Sequence, residues 1–265
     1  MIVSLDLHIH SRASADGRMA VGEIIDRARA AGLQGVAITD HDCWYRPEAQ
    51  GPEDLLVISG EEFSTEFGHL LGLFLTGPIP FARVPGRALE APGGVGALID
   101  AIHAQGGLAV LAHPFERDLD QARLLPLAPL LDGIEVWNGR ANRIHRDANA
   151  RAAAFARDHG LAPTAGSDAH LPREIGNGVL RLEVEALTPE AVKAALRRGI
   201  GQALGREGRS LDAARSQHTK LNRTHAGPLR RLKWLAFAGK CALEDLLRRP
   251  RAEEGENAPA DSEER

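Results

Sequence analysis

Acid and imidazole side chains recur in this chain where apolar runs begin or end. His8 and His10 close the first run, and Asp168 and His170 repeat the same spacing later in the chain. Side chains two residues apart on a strand point to the same face, so each pair presents two ligand-type groups together. Imidazole and carboxylate groups are common ligands of transition-metal ions. The pattern predicts one metal site, with candidate ligands His8, His10, Asp16, His41, Glu61, His69, His113, Asp168 and His170.

The remaining histidines do not share this recurrence. His103 falls inside a predicted helix, His145 and His159 belong to an arginine- and alanine-rich helix, and His218 and His225 lie in a polar segment. An isolated histidine in such a place is more often a packed or surface residue than a ligand. We therefore leave these five out of the site.

The elements that must position the candidate ligands alternate between strand and helix patterns. Strands are predicted over 2–10, 35–39, 55–59, 69–75, 107–112, 133–137, 161–165 and 178–184, and the clearest helices over 21–31, 94–105, 144–158 and 189–198. This alternation predicts an α/β fold with a mainly parallel sheet. About seven strands in one domain, without a dinucleotide fingerprint or a P-loop, favour a barrel over an open sheet. Active sites of such barrels lie at the carboxyl ends of the strands, where most candidate ligands fall.

Composition narrows the classes of protein. The chain has 265 residues, a formal net charge of −4 and two cysteines. This length suffices for a large core, and the charge gives no general argument for nucleic-acid binding. We expect no disulfide partner for either cysteine, and we see no signal peptide and no apolar run of membrane-spanning length. The prediction is a cytoplasmic protein.

The chain changes character after about residue 205, so we predict one domain over 1–205 and a separate tail over 206–265. Residues 206–225 are polar and basic and predict a linker, and residues 228–249 predict an amphipathic helix with leucines and flanking arginines and lysines. Such a helix suits docking on the barrel, self-association or peripheral membrane contact. Residues 252–265 are acidic and predict disorder.

The order of the motifs resembles the PHP superfamily, named for polymerase and histidinol phosphatase domains. The resemblance covers about residues 2–200, and the stretch 133–170 resembles the small stand-alone members that act as metal-dependent phosphoesterases. It is carried by Asp6-Leu7-His8-Ile9-His10-Ser11, Ala15-Asp16-Gly17, Ile38-Thr39-Asp40-His41-Asp42, Gly60-Glu61, His69, Ala112-His113-Pro114 and Gly166-Ser167-Asp168-Ala169-His170.

The resemblance implies a distorted, seven-stranded TIM-like barrel that holds two or three divalent metal ions, which could be zinc, manganese or iron. It implies a first ion on His8, His10, Glu61 and Asp168, a second on Glu61, His69 and His113, and a third on Asp16, His41 and His170. Glu61 would bridge the first two ions, and Glu61, Asp16 and His170 would be the catalytic residues. The implied reaction is hydrolysis of a phosphomonoester, or of a nucleotide or short oligonucleotide phosphate, by a metal-bridged hydroxide.

Other residues are candidates for supporting roles. Asp6 and Asp40 neighbour predicted ligands and could orient imidazole rings. Asn138, Arg140 and Arg143 follow a predicted strand at the catalytic rim and could bind substrate phosphate, since arginine binds phosphate with two parallel hydrogen bonds.

Two other functions compete with the phosphoesterase. Amidohydrolase barrels also begin with His-x-His, but their sites usually need a lysine ligand, and no lysine occurs between Met1 and Arg181. A metal-binding scaffold without catalysis is the third reading, and the complete set of candidate ligands disfavours it.

Overall fold

The computed structural model describes residues 1–47, 54–80, 94–117, 119–143, 145–247 and 252–253. Within these ranges all strands belong to one sheet: β1 Ile2–Ile9, β2 Gly35–Ile38, β3 Leu56–Thr65, β4 Gly68–Leu73, β5 Leu108–Ala112, β6 Gly133–Asn138, β7 Ala162–Gly166, β8 Gly178–Glu183, β9 Gly201–Arg206 and β10 Ala252–Glu253. The helices are α1 Val21–Ala30, α2 Gly94–Ala104, α3 Ala148–His159, α4 Pro189–Arg197, α5 Ser210–Arg223 and α6 Pro228–Leu247.

Strand direction decides which residues meet at the site. The order across the sheet is β10-β9-β8-β1-β2-β3-β4-β5-β6-β7. Strands β1, β2 and β3 are mutually parallel, and β5, β6 and β7 run in the same direction. Strand β4 is antiparallel to both neighbours, β3 and β5. The carboxyl ends of the parallel strands therefore share one edge with the amino end of β4.

The sheet curls until its β7 end lies beside β1. Just beyond β7, the carbonyl of Ala169 accepts a 2.9 Å hydrogen bond from the backbone N–H of His10. Ile9 and Ala169 form a parallel bridge at the same place. The result is a nearly closed, barrel-like sheet.

Apolar sequence patterns explain the elements. All residues of β2 and of β5 are buried, as expected for parallel strands covered on both faces. Helix α1 buries Ile24 and Ala28, which lie four positions apart on one face. Helix α4 begins where the side chain of Thr188, as its N-cap, accepts a 3.2 Å hydrogen bond from Ala191 N–H.

The number of strands differs from the prediction. The barrel-like α/β class is confirmed, but the part of the chain that the structure describes holds nine barrel strands plus the two-residue β10, not seven. Strand β9, Gly201–Arg206, was not predicted because its sequence, GQALGR, has few of the β-branched and aromatic residues that favour strands.

The tail also differs from the prediction. Within the predicted linker, residues Ser210–Arg223 form α5, which packs against α6. The indole N–H of Trp234 donates a 2.8 Å hydrogen bond to Ala214 O between the two helices. The predicted amphipathic helix is observed as Pro228–Leu247. Its last two predicted residues and most of the predicted acidic tail, 254–265, lie outside the described residues, and 252–253 pair with β9.

Among the described residues, no helix combines the length and apolar character that crossing a membrane requires. The thiols of Cys43 and Cys241 are both free, the first exposed and the second buried.

Candidate metal centre

Six strands bring the predicted ligands to one edge of the sheet. His8 lies near the end of β1, and His10, His41, His113 and Asp168 follow β1, β2, β5 and β7. His69 begins its run instead of ending it, and the antiparallel direction of β4 explains why it still reaches the same edge. The barrel thus gathers side chains that are up to 162 positions apart in the sequence.

Glu62, on β3, is the residue around which the imidazoles gather. Its Oε1 lies 2.8 Å from Nδ1 of His69 and 3.2 Å from Nε2 of His113. Its Oε2 lies 2.7 Å from Nδ1 of His41, 3.3 Å from Nε2 of His10 and 3.4 Å from Nε2 of His8. One carboxylate therefore contacts five imidazoles, and its two oxygens face different groups of them.

This arrangement corrects the prediction that Glu61 bridges two ions. Neighbouring side chains on a strand point to opposite faces, so only one of the two glutamates can face the cluster, and it is Glu62. Glu61 points away from the cluster, and burial, aided by the negative charge of Asp42, raises its pKa to about 8. Both residues fit the predicted strand end, and the strand register, which the sequence did not define, selects between them.

A first group of ligand atoms lies at the junction of β1 and β7. Nε2 of His8 and Nε2 of His10 are 3.1 Å apart. Oδ1 of Asp168 lies 3.2 Å from Nε2 of His10 and 3.9 Å from Nε2 of His8. Asp168 has a φ of 53°, a backbone conformation that a non-glycine residue adopts at some cost and that turns its carboxylate toward the two rings.

A second group lies directly beside the first, since the ring centroids of His10 and His170 are 4.1 Å apart. Nε2 of His170 is 3.5 Å and Nε2 of His41 is 3.9 Å from Oδ1 of Asp16. Nδ1 of His170 donates a 2.9 Å hydrogen bond to the backbone carbonyl of Asp168, which leaves Nε2 as its ligand atom. The other carboxylate oxygen of Asp16 accepts a 3.2 Å hydrogen bond from Nζ of Lys220 on α5.

Glu135, on β6, is a buried site residue that the sequence analysis missed. It accepts a 3.1 Å hydrogen bond from Nδ1 of His8, a 3.0 Å bond from His113 N–H and a 2.8 Å bond from Nδ2 of Asn138. It fixes the His8 ring so that Nε2 faces the cluster. A Cβ at Gly166 would collide with both His8 and Glu135, so this position needs glycine. The sequence indicated its role only by placing one acidic residue within the apolar run 133–137.

Asp6 and Asp40 shape the loops of the site and contact no imidazole directly. Asp6 accepts hydrogen bonds from the backbone N–H groups of Ser167 (2.8 Å) and Gly176 (2.9 Å), and burial raises its pKa to about 6. Asp40 accepts a 2.7 Å hydrogen bond from the hydroxyl of Ser14, which in turn accepts a 3.1 Å bond from Nδ1 of His10. Asp40 therefore orients His10 through Ser14.

The three predicted substrate-binding residues are held in internal contacts. Asn138 is buried, and its side chain donates to Glu135 and accepts from the backbone N–H of Arg140. Arg140 donates to both carboxylate oxygens of Glu174, at 2.9 and 2.6 Å. Arg143 donates a 3.3 Å hydrogen bond to Glu116. The prediction treated 138–143 as an open loop, whereas Asn138 is held by neighbours in its own segment and the two arginines are held by glutamates from distant segments.

The carboxylates and imidazoles of the cluster shift one another's pKa values. Burial alone would raise the pKa of Glu62, but the charges of the surrounding imidazoles, led by His41, hold it well below its usual range. Burial and the neighbouring imidazoles of His170 and His41 lower the pKa of His10, which keeps this ring neutral. Burial also opposes protonation of His113, but its hydrogen bond to Glu62 and the charge of Glu116 raise its pKa to about 9.

The residues present fit a metal centre on three observations. Four overlapping groups place their ligand atoms within 4.8 Å of one another: His8, His10 and Asp168; His10, His41 and His170; His41, Glu62 and His69; and His8, His113 and Glu135. Oδ1 of Asp16 and Oε2 of Glu62 are buried and accept no hydrogen bond from the described residues. The Glu62 oxygen lies 2.7 Å from Nδ1 of His41 and the Asp16 oxygen 3.5 Å from Nε2 of His170, so a cation beside them, either a protonated ring or a metal ion, offsets the cost of their burial. Imidazole and carboxylate donors are the ligands expected for zinc, manganese or iron.

A cleft of about 250 Å³ opens beside His69 and His113. Its walls include the aromatic ring of Phe67, the apolar side chain of Leu119 and the charged side chain of Arg117. The cleft is therefore a partly apolar and partly polar space next to the cluster. It has room for those parts of a bound molecule that do not reach the cluster itself.

Comparison with known proteins relates this geometry to a family. A profile of the PHP domain matches residues 6–70, and a PHP-associated profile matches residues 146–200. The chain is 30% identical over 188 residues to an uncharacterized protein of Methanocaldococcus jannaschii, covering 68% of this chain and 70% of that protein. It is 27% identical to the 3',5'-nucleoside bisphosphate phosphatase of Chromobacterium violaceum, covering 67% and 91% respectively.

The fold is also found among solved structures. A two-domain protein of Bacteroides vulgatus containing a predicted PHP-like metal-dependent phosphoesterase superposes with a TM-score of 0.59 at 18% identity. The superposition covers 83% of this chain and 70% of that chain. At this level of identity the likeness concerns the fold.

Proposed function

Because the chain belongs to the PHP-domain family, a family of metal-dependent phosphoesterases and nucleases, we propose that it hydrolyses a phosphoric ester at the cluster around Glu62. The observation that carries the proposal is the position of Glu62, which is buried between five imidazoles with both of its carboxylate oxygens facing them. A carboxylate in this position can join two cations.

We assign the ligands of two or three divalent ions, zinc, manganese or iron, by geometry. The first ion would lie on His8, His10, Asp168 and Glu62, the second on Glu62, His69 and His113, and the third on Asp16, His41 and His170. Such ions activate water and stabilise charge on a phosphoryl group. The protein's own contribution is orientation: Glu135 fixes His8, and Ser14 with Asp40 fixes His10.

Glu62, Asp16 and His170 are the catalytic residues of this proposal, with Glu62 in the place first predicted for Glu61. All three are buried at the same edge, so they hold the ions in fixed positions before substrate binds. Low exposure also excludes bulk water, which strengthens charge interactions inside the site.

The substrate class that we favour is a nucleotide or a short oligonucleotide phosphate. The Phe67 wall of the cleft offers an aromatic ring for stacking a base, and Arg117 offers a positive charge for a second phosphate. The Chromobacterium violaceum relative is named for a nucleoside bisphosphate substrate, which is consistent with this choice.

The site agrees less well with amide hydrolysis. Amidohydrolase-type sites usually join two metals through a lysine, but here Glu62 occupies the joining position. Lys220 approaches the cluster only at the outer oxygen of Asp16. A non-catalytic scaffold would not need the cleft beside the cluster.

A substrate screen tests the proposal. Protein loaded anaerobically with manganese, zinc or iron is assayed against nucleotides, nucleoside bisphosphates, sugar phosphates and short RNA, with an amide panel in parallel. We expect release of phosphate or nucleotide that chelation abolishes. Metal-loaded protein that cleaves amides but no phosphoric ester would contradict the proposal, as would full activity after chelation.

We also propose that α6 contacts a second copy of the chain or a membrane surface. Leu229, Leu232, Leu235, Leu243, Leu246 and Leu247 are all exposed on this helix. Sedimentation velocity tests for contact with a second copy of the chain, and co-sedimentation with anionic vesicles tests for contact with a membrane. A chain that stays monomeric and binds no vesicles would contradict both proposals.

A further inference from the structure

We propose that Lys220, on α5, is a ligand for the substrate phosphate at the Asp16 side of the metal cluster. This inference rests on the proposed function and adds to it a residue from a segment that neither family profile matches, since those end at residues 70 and 200. The predicted linker thus supplies part of the active site.

Helix α5 is fixed over the rim by contacts with three different loops. Nη1 of Arg223 donates to the carbonyls of Arg12 (2.9 Å) and Ser14 (2.7 Å), in the loop that carries Asp16. Asp212 pairs with Arg173, beyond the loop of Asp168 and His170. These contacts join the helix to the loop after β1 and to the segment after β7.

A third contact connects α5 to β6. Nη1 of Arg140 donates a 3.1 Å hydrogen bond to the hydroxyl of Ser216, one turn before Lys220. Ser216 and Asp212 are both buried. The helix is therefore an anchored part of the rim, and the base of the Lys220 side chain is held by it.

The ammonium group and an ion would use different oxygens of Asp16. Nζ of Lys220 contacts Oδ2, while Oδ1 faces the nitrogens of His41 and His170 and accepts no hydrogen bond from the described residues. An ion on Oδ1 and the ammonium on Oδ2 can therefore be present together. A phosphate oxygen bound beside that ion would lie within reach of the ammonium.

Lys220 is also accessible, unlike the arginines first predicted for this role. Its side chain is 45% exposed, whereas Arg140 is 11% exposed and paired with Glu174. An ammonium has three donors and is a compact point charge, so it can retain Asp16 and bind a phosphate oxygen at the same time. This combination of exposure and proximity to the cluster favours a role in binding substrate.

The competing explanation is that Lys220 only neutralises the buried charge of Asp16. The two roles predict different results for inorganic phosphate. A neutralising lysine affects metal content and stability, and a phosphate ligand affects the affinity for phosphate while metal content stays the same.

The experiment compares Lys220→Met, Lys220→Arg and the control Lys240→Met in the full chain loaded with manganese. Lys240 has a matching ammonium on α6, paired with Glu244 and far more exposed. The readouts are metal equivalents by elemental analysis, thermal midpoint, inorganic phosphate affinity by calorimetry, and KM and kcat on the best ester from the screen.

We expect Lys220→Met to keep its metal and to bind inorganic phosphate roughly 10- to 100-fold more weakly, as for a lost charge-assisted hydrogen bond. KM should rise by a similar factor, and Lys220→Arg should recover most of the loss. Lys240→Met should match the wild type in every readout.

Two results would overturn the inference while leaving the proposed function in place. One is unchanged phosphate affinity in Lys220→Met when the wild type is active. The other is loss of metal or of thermal stability in that variant, which would make Lys220 a structural partner of Asp16. A wild type that binds metal but neither binds phosphate nor cleaves any ester would overturn the proposed function itself.

Discussion

At the scale of single residues, the site depends on which neighbour of a pair faces inward. Glu61 and Glu62 have the same chemistry and adjoin in the sequence, but they differ in every contact that matters for a metal. The neighbouring imidazoles lower the pKa of Glu62, whereas burial and the charge of Asp42 raise the pKa of Glu61 to about 8. The pair provides a matched test in which the same substitution is made on both faces of one strand.

We expect Glu62→Gln to lose metal and turnover, and Glu61→Gln to keep both. An amide cannot join two cations, so the loss in turnover for Glu62→Gln should exceed the ~10–100-fold that follows removal of an outer partner of a metal ligand. Elemental analysis and the ester assay measure the two effects. Equal losses in the two variants would show that the cluster is not organised by Glu62.

Glu135 provides a second prediction at this scale. It contacts no predicted ion directly but accepts the Nδ1 hydrogen bond of His8. Glu135→Gln should lower metal affinity by roughly 10–100-fold while leaving the ligand count unchanged, because the His8 ring loses its charged partner. Competition with a chromogenic chelator measures the affinity. A variant with normal affinity would show that packing alone orients His8.

At the scale of elements, the direction of β4 decides how far the sequence could predict the site. The apolar runs indicated most strands and the position of His69 at the start of its run, but alternation with helices predicted a mainly parallel sheet and did not identify β4 as antiparallel. The β3–β4 hairpin reverses the direction of the chain. His69, at the amino end of β4, therefore lies beside residues at the carboxyl ends of the parallel strands. Pairing direction depends on tertiary contacts that periodicity does not record.

The supporting contacts were less predictable than the ligands. Asn138 and Arg140 fit a phosphate site by residue type and position, but Asn138 turns back to Glu135 on its own strand, and Arg140 pairs with Glu174, which lies after β7. Helix α5 appeared polar because its buried side is made of small and polar residues, among them Ala213, Ala214 and Ser216. Burial of such residues depends on the surface they meet.

The Arg140–Glu174 pair gives a prediction about these elements. Glu174 also accepts from the backbone N–H groups of His170 and Leu171, so the pair holds the loop of a predicted ligand. Arg140→Met should destabilise the protein by about 3–5 kcal/mol, since it leaves a buried carboxylate without its partner. Urea denaturation measures the change in the free energy of unfolding.

The control for that prediction is Arg29→Met. Arg29 makes a similar two-bond contact with Asp54, but both side chains are largely exposed. This variant should leave the denaturation midpoint nearly unchanged, because exposed ion pairs add little to stability. If Arg140→Met is as mild as Arg29→Met, Arg140 is available for another role.

At the scale of the whole molecule, the cluster links metal binding to pH. In the metal-free protein His113 has a pKa of about 9, and the pKa values of His8 and His41 are raised by neighbouring carboxylates against the effect of burial. At pH values below the ordinary histidine pKa, the protonated rings contribute their full stabilisation to the metal-free fold. For His113 this contribution is lost as pH rises through about 9.

We therefore expect metal affinity to rise with pH between about 6.5 and 9, because ions bind neutral imidazole and must displace the protons. Calorimetry in two buffers with different ionisation enthalpies should show proton release on loading at pH 7. The thermal midpoint of chelated protein should fall over the same interval. Metal binding without proton release would show that the rings are already neutral.

The distance along the chain between the parts of the site has a consequence for protein synthesis. Lys220 and Asp16 are 204 positions apart, and His10 meets Ala169 across the closure of the barrel. At ~5–20 residues per second, the ribosome needs roughly 10–40 s to make the intervening chain. For most of that time the histidines at the start of the nascent chain lack Asp168, which both of them approach in the finished fold. If the proposed ions bind at that stage, they meet an incomplete ligand set, and the metal composition of the finished protein would depend on the ions present around the ribosome as well as on equilibrium affinity.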